Sequence, residues 1–216
     1  MRARYLEGAR AIAPVGVAAG AFGLSFGVLA RTAGMGWVAP LVMSATTFAG
    51  SAQVAAASVL HDGGGAAAAI GAAVMLNARY APIGISVASA FEGAVAKRLV
   101  QAQLIVDESW AIALKRREGP DVRVLLGAGA LLFVCWNGGT ALGVVLGDSI
   151  GDPERIGLDA AFPALFLALL VSQLRSRSTV GTAALGGAIA LALIPFTPAG
   201  VPIVAGAAAC LVGWRR

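Results

Sequence analysis

Four short stretches carry the polar side chains with which this chain could do chemistry. Thr46-Thr47-Phe48-Ala49-Gly50-Ser51-Ala52-Gln53 combines hydroxyls, an amide and small residues. Gly50 can accept an unwound backbone, which frees N–H groups that suit a carboxylate. The same stretch also reads as a packing seam between helices, with Ser and Thr bonded back to their own helix. Asn77-Ala78-Arg79-Tyr80-Ala81-Pro82 sets a guanidinium beside a proline that removes a backbone donor and disturbs the carbonyl near Ala78. Three readings are open for Arg79: counter-ion to a buried acid, ligand for a substrate carboxylate, or a side chain that snorkels from a helix end.

Asp107 and Glu108 are neighbours and would point about 100° apart on a helix. One could then titrate inside the protein while the other stays interfacial; alternatively both lie in water on an interfacial helix. Trp136-Asn137-Gly138-Gly139-Thr140 puts Asn137 and Thr140 on one helix face. Gly139, Gly143 and Gly147 recur every four residues, as on a close-packing face.

Other chemistries find no footing. Lys97 follows Ala96 and Lys115 follows Leu114, so no Gly-Lys-Ser/Thr phosphate loop exists. A single His61, beside Asp62, excludes a His-pair metalloprotease and reads as a polar turn. Gly147-Asp148-Ser149-Ile150-Gly151 matches the bare pattern of a nucleophile elbow. That motif needs a strand-to-helix turn and a His base, so the match is read as chance. Cys135 and Cys210 sit inside apolar runs without metal-ligand neighbours, as packing residues do. The expectation is a protein with no enzymatic activity, no metal and no cofactor.

The elements that must position these groups follow from composition. Of 216 residues, 58% are apolar and 12% charged, half the roughly 25% of a soluble domain. With a mean hydropathy of +0.83, the chain cannot cover a water-facing surface. An ordinary soluble enzyme, a disordered protein and a nucleic-acid binder are excluded. The net charge is +5, but the basic residues punctuate apolar runs rather than forming one stripe. The fold class expected is all-α: a polytopic integral membrane protein, one membrane domain over 1–216, with about eight transmembrane or partly crossing helices, some broken. A span needs about 20 apolar residues. Runs lie near 11–30, 37–60, 64–91 (broken at Asn77, Arg79 and Pro82), 99–114 (weak), 124–147, 158–174, 180–196 and 200–214. The first run exceeds a usual signal core and lacks a clear cleavage site, so it reads as a retained helix.

Loop charges orient the runs. Arg2, Arg4 and Arg10 oppose only Glu7; Lys115, Arg116, Arg117 and Arg123 oppose Glu118 and Asp121; and Arg175 pairs with Arg177, as Arg215 does with Arg216. Asp148, Asp152, Glu154 and Asp159 face only Arg155. The positive-inside rule then sets both termini, 115–123 and 175–177 in the cytoplasm and 148–159 outside. Lys97 and Arg98 fall on the outer side in that scheme unless 64–91 splits into two half-crossings.

The ordered set Phe48-Ala49-Gly50-Ser51-Ala52-Gln53, Asn77-Ala78-Arg79 with Gly84 and Ser86, Asp107-Glu108, Trp136-Asn137 with Gly139-Thr140, and Gly157-Leu158-Asp159 with Phe162-Pro163-Ala164 and Phe166-Leu167 resembles the AzlC family. These are large subunits of two-component branched-chain amino acid exporters of bacteria and archaea. The resemblance runs from about Gly16 to Leu174. Tyr80 departs from it, because the family usually has His after Asn-x-Arg. The resemblance implies efflux of valine, leucine and isoleucine across the plasma (inner) membrane of a prokaryote, with a small AzlD-like partner subunit. Proton coupling would supply the driving force, with Asp107 and Glu108 as candidate carriers. Ala49, Gly50, Ser51, Gln53, Asn77, Arg79 and Asn137 are the candidate substrate contacts. An uncoupled small-solute channel, or a structural subunit whose partner holds the substrate, are the alternatives.

Overall fold

The computed structural model describes residues 2–114, 121–150, 176–197 and 201–209, with isolated positions 167, 170, 171 and 174. Among the described residues all regular structure is helical. The helices are α1 (Arg2–Thr32), α2 (Val38–Thr47), α3 (Gly50–His61), α4 (Ala66–Asn77), α5 (Tyr80–Ala88), α6 (Val95–Ala102), α7 (Asp107–Ala113), α8 (Val122–Ile150), α9 (Arg177–Leu193) and α10 (Val201–Ala207). The run expected at 158–174, most of the acidic loop 148–159, Cys210 and the end of the 200–214 run lie outside the described residues.

Among the described residues, two helices are long and apolar enough to cross a bilayer alone, α1 and Val122–Gly147 of α8. They pack in parallel. Tyr5 meets Gly127 near their N-termini, Gly20 meets Gly139 halfway, and Arg31 meets Gly147 at the far end. A Cβ at Gly139 would overlap the Gly20 carbonyl oxygen, and one at Gly143 would overlap that of Leu24. The glycine spacing therefore lets two backbones touch, and dispersion between them replaces the hydrophobic drive that lipid cannot supply. Phe26 and Trp136 stack across this seam with centroids 6.1 Å apart. The Gly147–Ile150 part of the elbow-like pattern is helical, at the end of α8.

The 37–60 run does not cross as one helix. α2 starts beside the C-terminal end of α1 and stops at Phe48, whose φ of 42° is left-handed. The chain then doubles back. Ser44 of α2 is bonded to Thr140 of α8 at 3.0 Å, while Ala56 and Leu60 of α3 share a groove with Met35, just past α1. Hydropathy sees one run of span length; two half-length arms have the same composition.

α4 packs antiparallel to α3, with Val59 against Ala69 and Ala72. It continues into α5 through a 41° bend. Pro82 has no N–H for the Ala78 carbonyl, which accepts from Ala81 at 3.2 Å instead. The 64–91 stretch is thus one broken path that ends with Val87 and Phe91 beside Leu125 and Leu126, at the N-terminal end of α8.

The 99–114 run is likewise two short helices. α6 leads away from that end, and Gln103 just beyond it reaches α2, donating to the Ala45 and Thr46 carbonyls at 3.1 and 2.8 Å. α7 returns, with Ala113 packed against Leu125. Two helical hairpins therefore enter from opposite ends and meet at their tips. Lys97 and Arg98 fall at the end where Arg4 and Asp121 pair at 2.5 Å. That placement follows from 37–60 folding back on itself and 64–91 running on through one bend. Near the far end of the chain, α9 approaches α10 at Gly186 and Gly206, and α10 packs on α4.

Candidate functional site

The hairpin tips, the α4–α5 bend and the α1–α8 pair line a half-open cavity of roughly 150 Å³. A cavity of about that volume can hold a six-carbon ring such as benzene. Val15, Phe22, Phe48, Val106, Leu132 and Trp136 supply apolar wall; Gly50, Ser51, Arg79, Asp107 and Glu108 supply the polar part.

Each polar group is there because a helix breaks. α3 begins at Gly50, so the first-turn N–H groups at its positive end border the cavity. No acidic residue occupies that first turn. α7 begins at Asp107 and carries Asp107 and Glu108 in its own first turn. Its start is capped by Ser109, whose Oγ accepts from the Val106 N–H at 3.0 Å. The two helix starts thus differ in charge: α7 is compensated within itself, and α3 is not.

Arg79, on the bend, joins the two. Its Nη2 donates to Ser51 Oγ at 2.8 Å and stands 3.2 Å from Asp107 Oδ2. The Arg79 and Asp107 side chains are 37% and 34% exposed, toward the cavity that both line. The guanidinium also lies 5.3 Å from the Tyr80 ring centroid. Tyr80, where the resembling family usually has His, is therefore on the cavity wall. Among the described residues, Arg79 Nε and Trp136 Nε1 are buried donors without a hydrogen-bond partner.

Of the candidates singled out by sequence, Gly50, Ser51, Arg79, Asp107 and Glu108 meet at this cavity. Ala49 and Gln53 lie behind the wall: Gln53 is fully buried and its Oε1 accepts the Ala49 N–H at 3.2 Å. The Gln53 amide thereby serves the Ala49 N–H just ahead of α3, leaving the first-turn N–H groups of the helix uncapped, instead of facing the cavity with Ala49. Asn77 lines a separate apolar groove between α2, α3 and α4, with its carbonyl oxygen buried and unpartnered among the described residues. Asn137 donates to its own helix at Phe133 O, 2.9 Å away. Cys135 is a free thiol facing Gly16. No three His, Cys, Asp or Glu side chains gather among the described residues as a metal site would require.

Sequence reasoning passed over the apolar walls. Trp136 lies one helical turn from Leu132 on the face of α8 that also bears Thr140, which was signal enough to count it with them. The contribution of Val15 and Phe22 from α1 had no local signal, because it depends on which helix pairs with α8.

Comparison with known proteins bears on this site. The family described as AzlC protein matches residues 14–150, which includes every polar residue of the cavity. An uncharacterized membrane protein of Archaeoglobus fulgidus is 32% identical over 201 residues, 88% of this chain and 85% of the relative. The branched-chain amino acid transport protein AzlC of Bacillus subtilis is 27% identical over 154 residues, 70% of this chain and 60% of the relative. No solved structure matches.

Proposed function

The chain belongs to the AzlC family of membrane proteins, and from that premise we propose that it exports branched-chain amino acids, coupled to protons and assembled with a small AzlD-like membrane subunit. The observation that carries this reading is the Arg79–Asp107 pair at 3.2 Å in a cavity whose wall is largely apolar. A hydrophobic zwitterion asks for such a surface: one cation, one anion and a hydrocarbon wall. Each CH₂ buried against that wall stabilises binding by about 0.8 kcal/mol, so leucine, isoleucine and valine outrank alanine. The uncapped start of α3 adds positive potential for the carboxylate.

Glu108 is the acid without a cation of its own, because Arg79 is the one base on the cavity wall among the described residues and it is engaged by Asp107. An acid so placed is suited to carry the coupling proton. Two hairpins that enter from opposite ends suit alternating access, in which the cavity opens beside one tip and then the other. The charge tally sets the N-terminal ends of α1 and α8 in the cytoplasm of a prokaryotic cell. Their parallel packing agrees with that assignment.

The test is counterflow of radiolabelled valine in proteoliposomes, with and without the partner subunit. Valine accumulation that depends on both subunits and acidifies or alkalises the lumen supports coupled transport. Valine that equilibrates without counterflow accumulation and without a pH response indicates a channel, and absence of valine flux with both subunits overturns the reading.

A further inference from the structure

We propose that the Arg79–Asp107 pair is the empty-state substitute for the substrate's own charges, and that Asp107 is the residue that selects an α-ammonium group. The inference rests on the transport reading above and assigns roles within the same cavity. Arg79 has two partners from two different elements, Ser51 Oγ of α3 at 2.8 Å and Asp107 Oδ2 of α7 at 3.2 Å. The first is a hydrogen bond, which holds the guanidinium beside the uncapped start of α3, and the second is an ion pair. The second bridges to the other hairpin along the cavity wall. Both ends of that bridge are about one third exposed, so neither charge is sealed away from a solute.

A zwitterion carries both halves of this bridge in one molecule. Its carboxylate can take the place of Asp107 at Arg79, and its ammonium can take the place of Arg79 at Asp107. No charge is left uncompensated before or after the exchange, which keeps the desolvation cost of a buried ion out of the binding step. The substrate must stand between the two side chains, so binding separates α5 from α7. Those two helices are otherwise joined through Trp110 Nε1, which donates to Ser86 Oγ at 2.9 Å. A solute with only one charge breaks the bridge and leaves the other partner alone. The bridge therefore acts as a filter for the amino acid backbone, separate from the apolar wall that reads the side chain.

The filter predicts a gain of binding, which a merely structural ion pair does not. In Asp107→Asn the guanidinium is released. 4-Methylpentanoate, which is leucine without its ammonium group, should then bind at least tenfold more tightly than to the wild type, while leucine binds more weakly. The mirror variant Arg79→Gln should gain affinity for 3-methylbutylamine, which is leucine without its carboxylate. Asp107→Glu should keep the wild-type order of ligands. Affinities are read by competition against radiolabelled leucine and by direct titration of the purified complex, each variant first shown to be monodisperse. An unchanged ratio of leucine to 4-methylpentanoate in Asp107→Asn, or equal loss of both, overturns the filter. Wild-type protein that binds no branched-chain amino acid overturns the transport reading itself, and the filter with it. If Asp107→Asn does not fold, the Arg79→Gln arm decides by the same ratio.

Discussion

Gly50→Ala is expected to weaken both the fold and transport, through Trp136. An ideal Cβ at Gly50 would lie 2.7 Å from Trp136 Cη2 and 2.8 Å from Cζ3. Carbon atoms rest about 3.5–4.0 Å apart, so the indole must retreat by roughly 1 Å. It has little freedom to do so: it is 7% exposed and stacked on Phe26. Overpacking of this kind costs about 1–3 kcal/mol. The ring's retreat must either open the Phe26 stack or fill part of the cavity, so valine flux should fall with stability. Thermal unfolding in detergent and flux in proteoliposomes, on the same preparation, measure the two effects. Trp136→Phe supplies the control, because the three ring carbons nearest the new Cβ belong to the outer part of the indole that Phe lacks. The double variant should be less destabilised than the sum of the singles, by about 0.5–3 kcal/mol. Additive losses, or a Gly50→Ala protein with wild-type melting and flux, would refute the contact as the reason for glycine.

Three further outcomes are expected. Gly143→Leu should abolish insertion or folding, since even a Cβ there overlaps the Leu24 carbonyl oxygen and forces α1 and α8 apart; membrane yield and monodispersity report it. In a background without Cys135 and Cys210, Ser149→Cys should react with an impermeant thiol reagent in intact cells and Lys97→Cys only after lysis, and the reverse pattern would invert the topology. Asp121 caps α8 by accepting from Arg123 N–H at 3.0 Å and Val124 N–H at 3.3 Å; Asn caps as well as Asp, so Asp121→Asn loses chiefly the part-exposed ion pair with Arg4 and should cost up to about 1 kcal/mol. Burial alone would raise the Asp121 carboxyl, but the Val124 and Arg123 N–H groups and the Arg4 guanidinium outweigh it and hold it below the ordinary Asp value. Its stabilisation is therefore present above the unfolded value near 3.9 and is lost as pH falls toward the folded one, so the variant should show a flatter acid limb in melting temperature against pH.

Much of the site was legible because a polar group in hydrocarbon carries its cost openly. Arg79 needed a partner, Asp107 was the nearest acid in the chain's membrane runs, and the pair forms. Pro82 marked the bend, and the four-residue glycine spacing marked a backbone contact, though not that α1 would be the partner. Gln53 was harder. Its amide was read as available to a ligand, but a helix that starts at Gly50 leaves the Ala49 N–H orphaned four residues before a buried glutamine, and Gln53 turns back to serve it.

Gly50 signalled an unwound backbone, but nothing local signalled that the chain would turn back at Phe48, and the physics of that reversal explains why apolar runs overcount crossings. Ten residues of α2 reach about 15 Å and twelve of α3 about 18 Å, each roughly half of the 30 Å hydrocarbon layer. Laid end to end they have the hydropathy of one span; folded back they enter halfway and return. Composition is blind to that choice, because lipid scores both alike. What decides it is backbone satisfaction at the tip, where lipid offers no donors or acceptors. Gln53 serves the Ala49 N–H, and Gln103 serves the Ala45 and Thr46 carbonyls from more than fifty residues away. Phe48, left-handed at φ 42°, is held by an edge-to-face contact with Phe133, 5.0 Å between centroids. The tip of one hairpin is thus completed by the tip of the other. The two cannot part without exposing the α2 carbonyls, so any opening of the cavity beside them must either keep the Gln103 bonds or replace them with water.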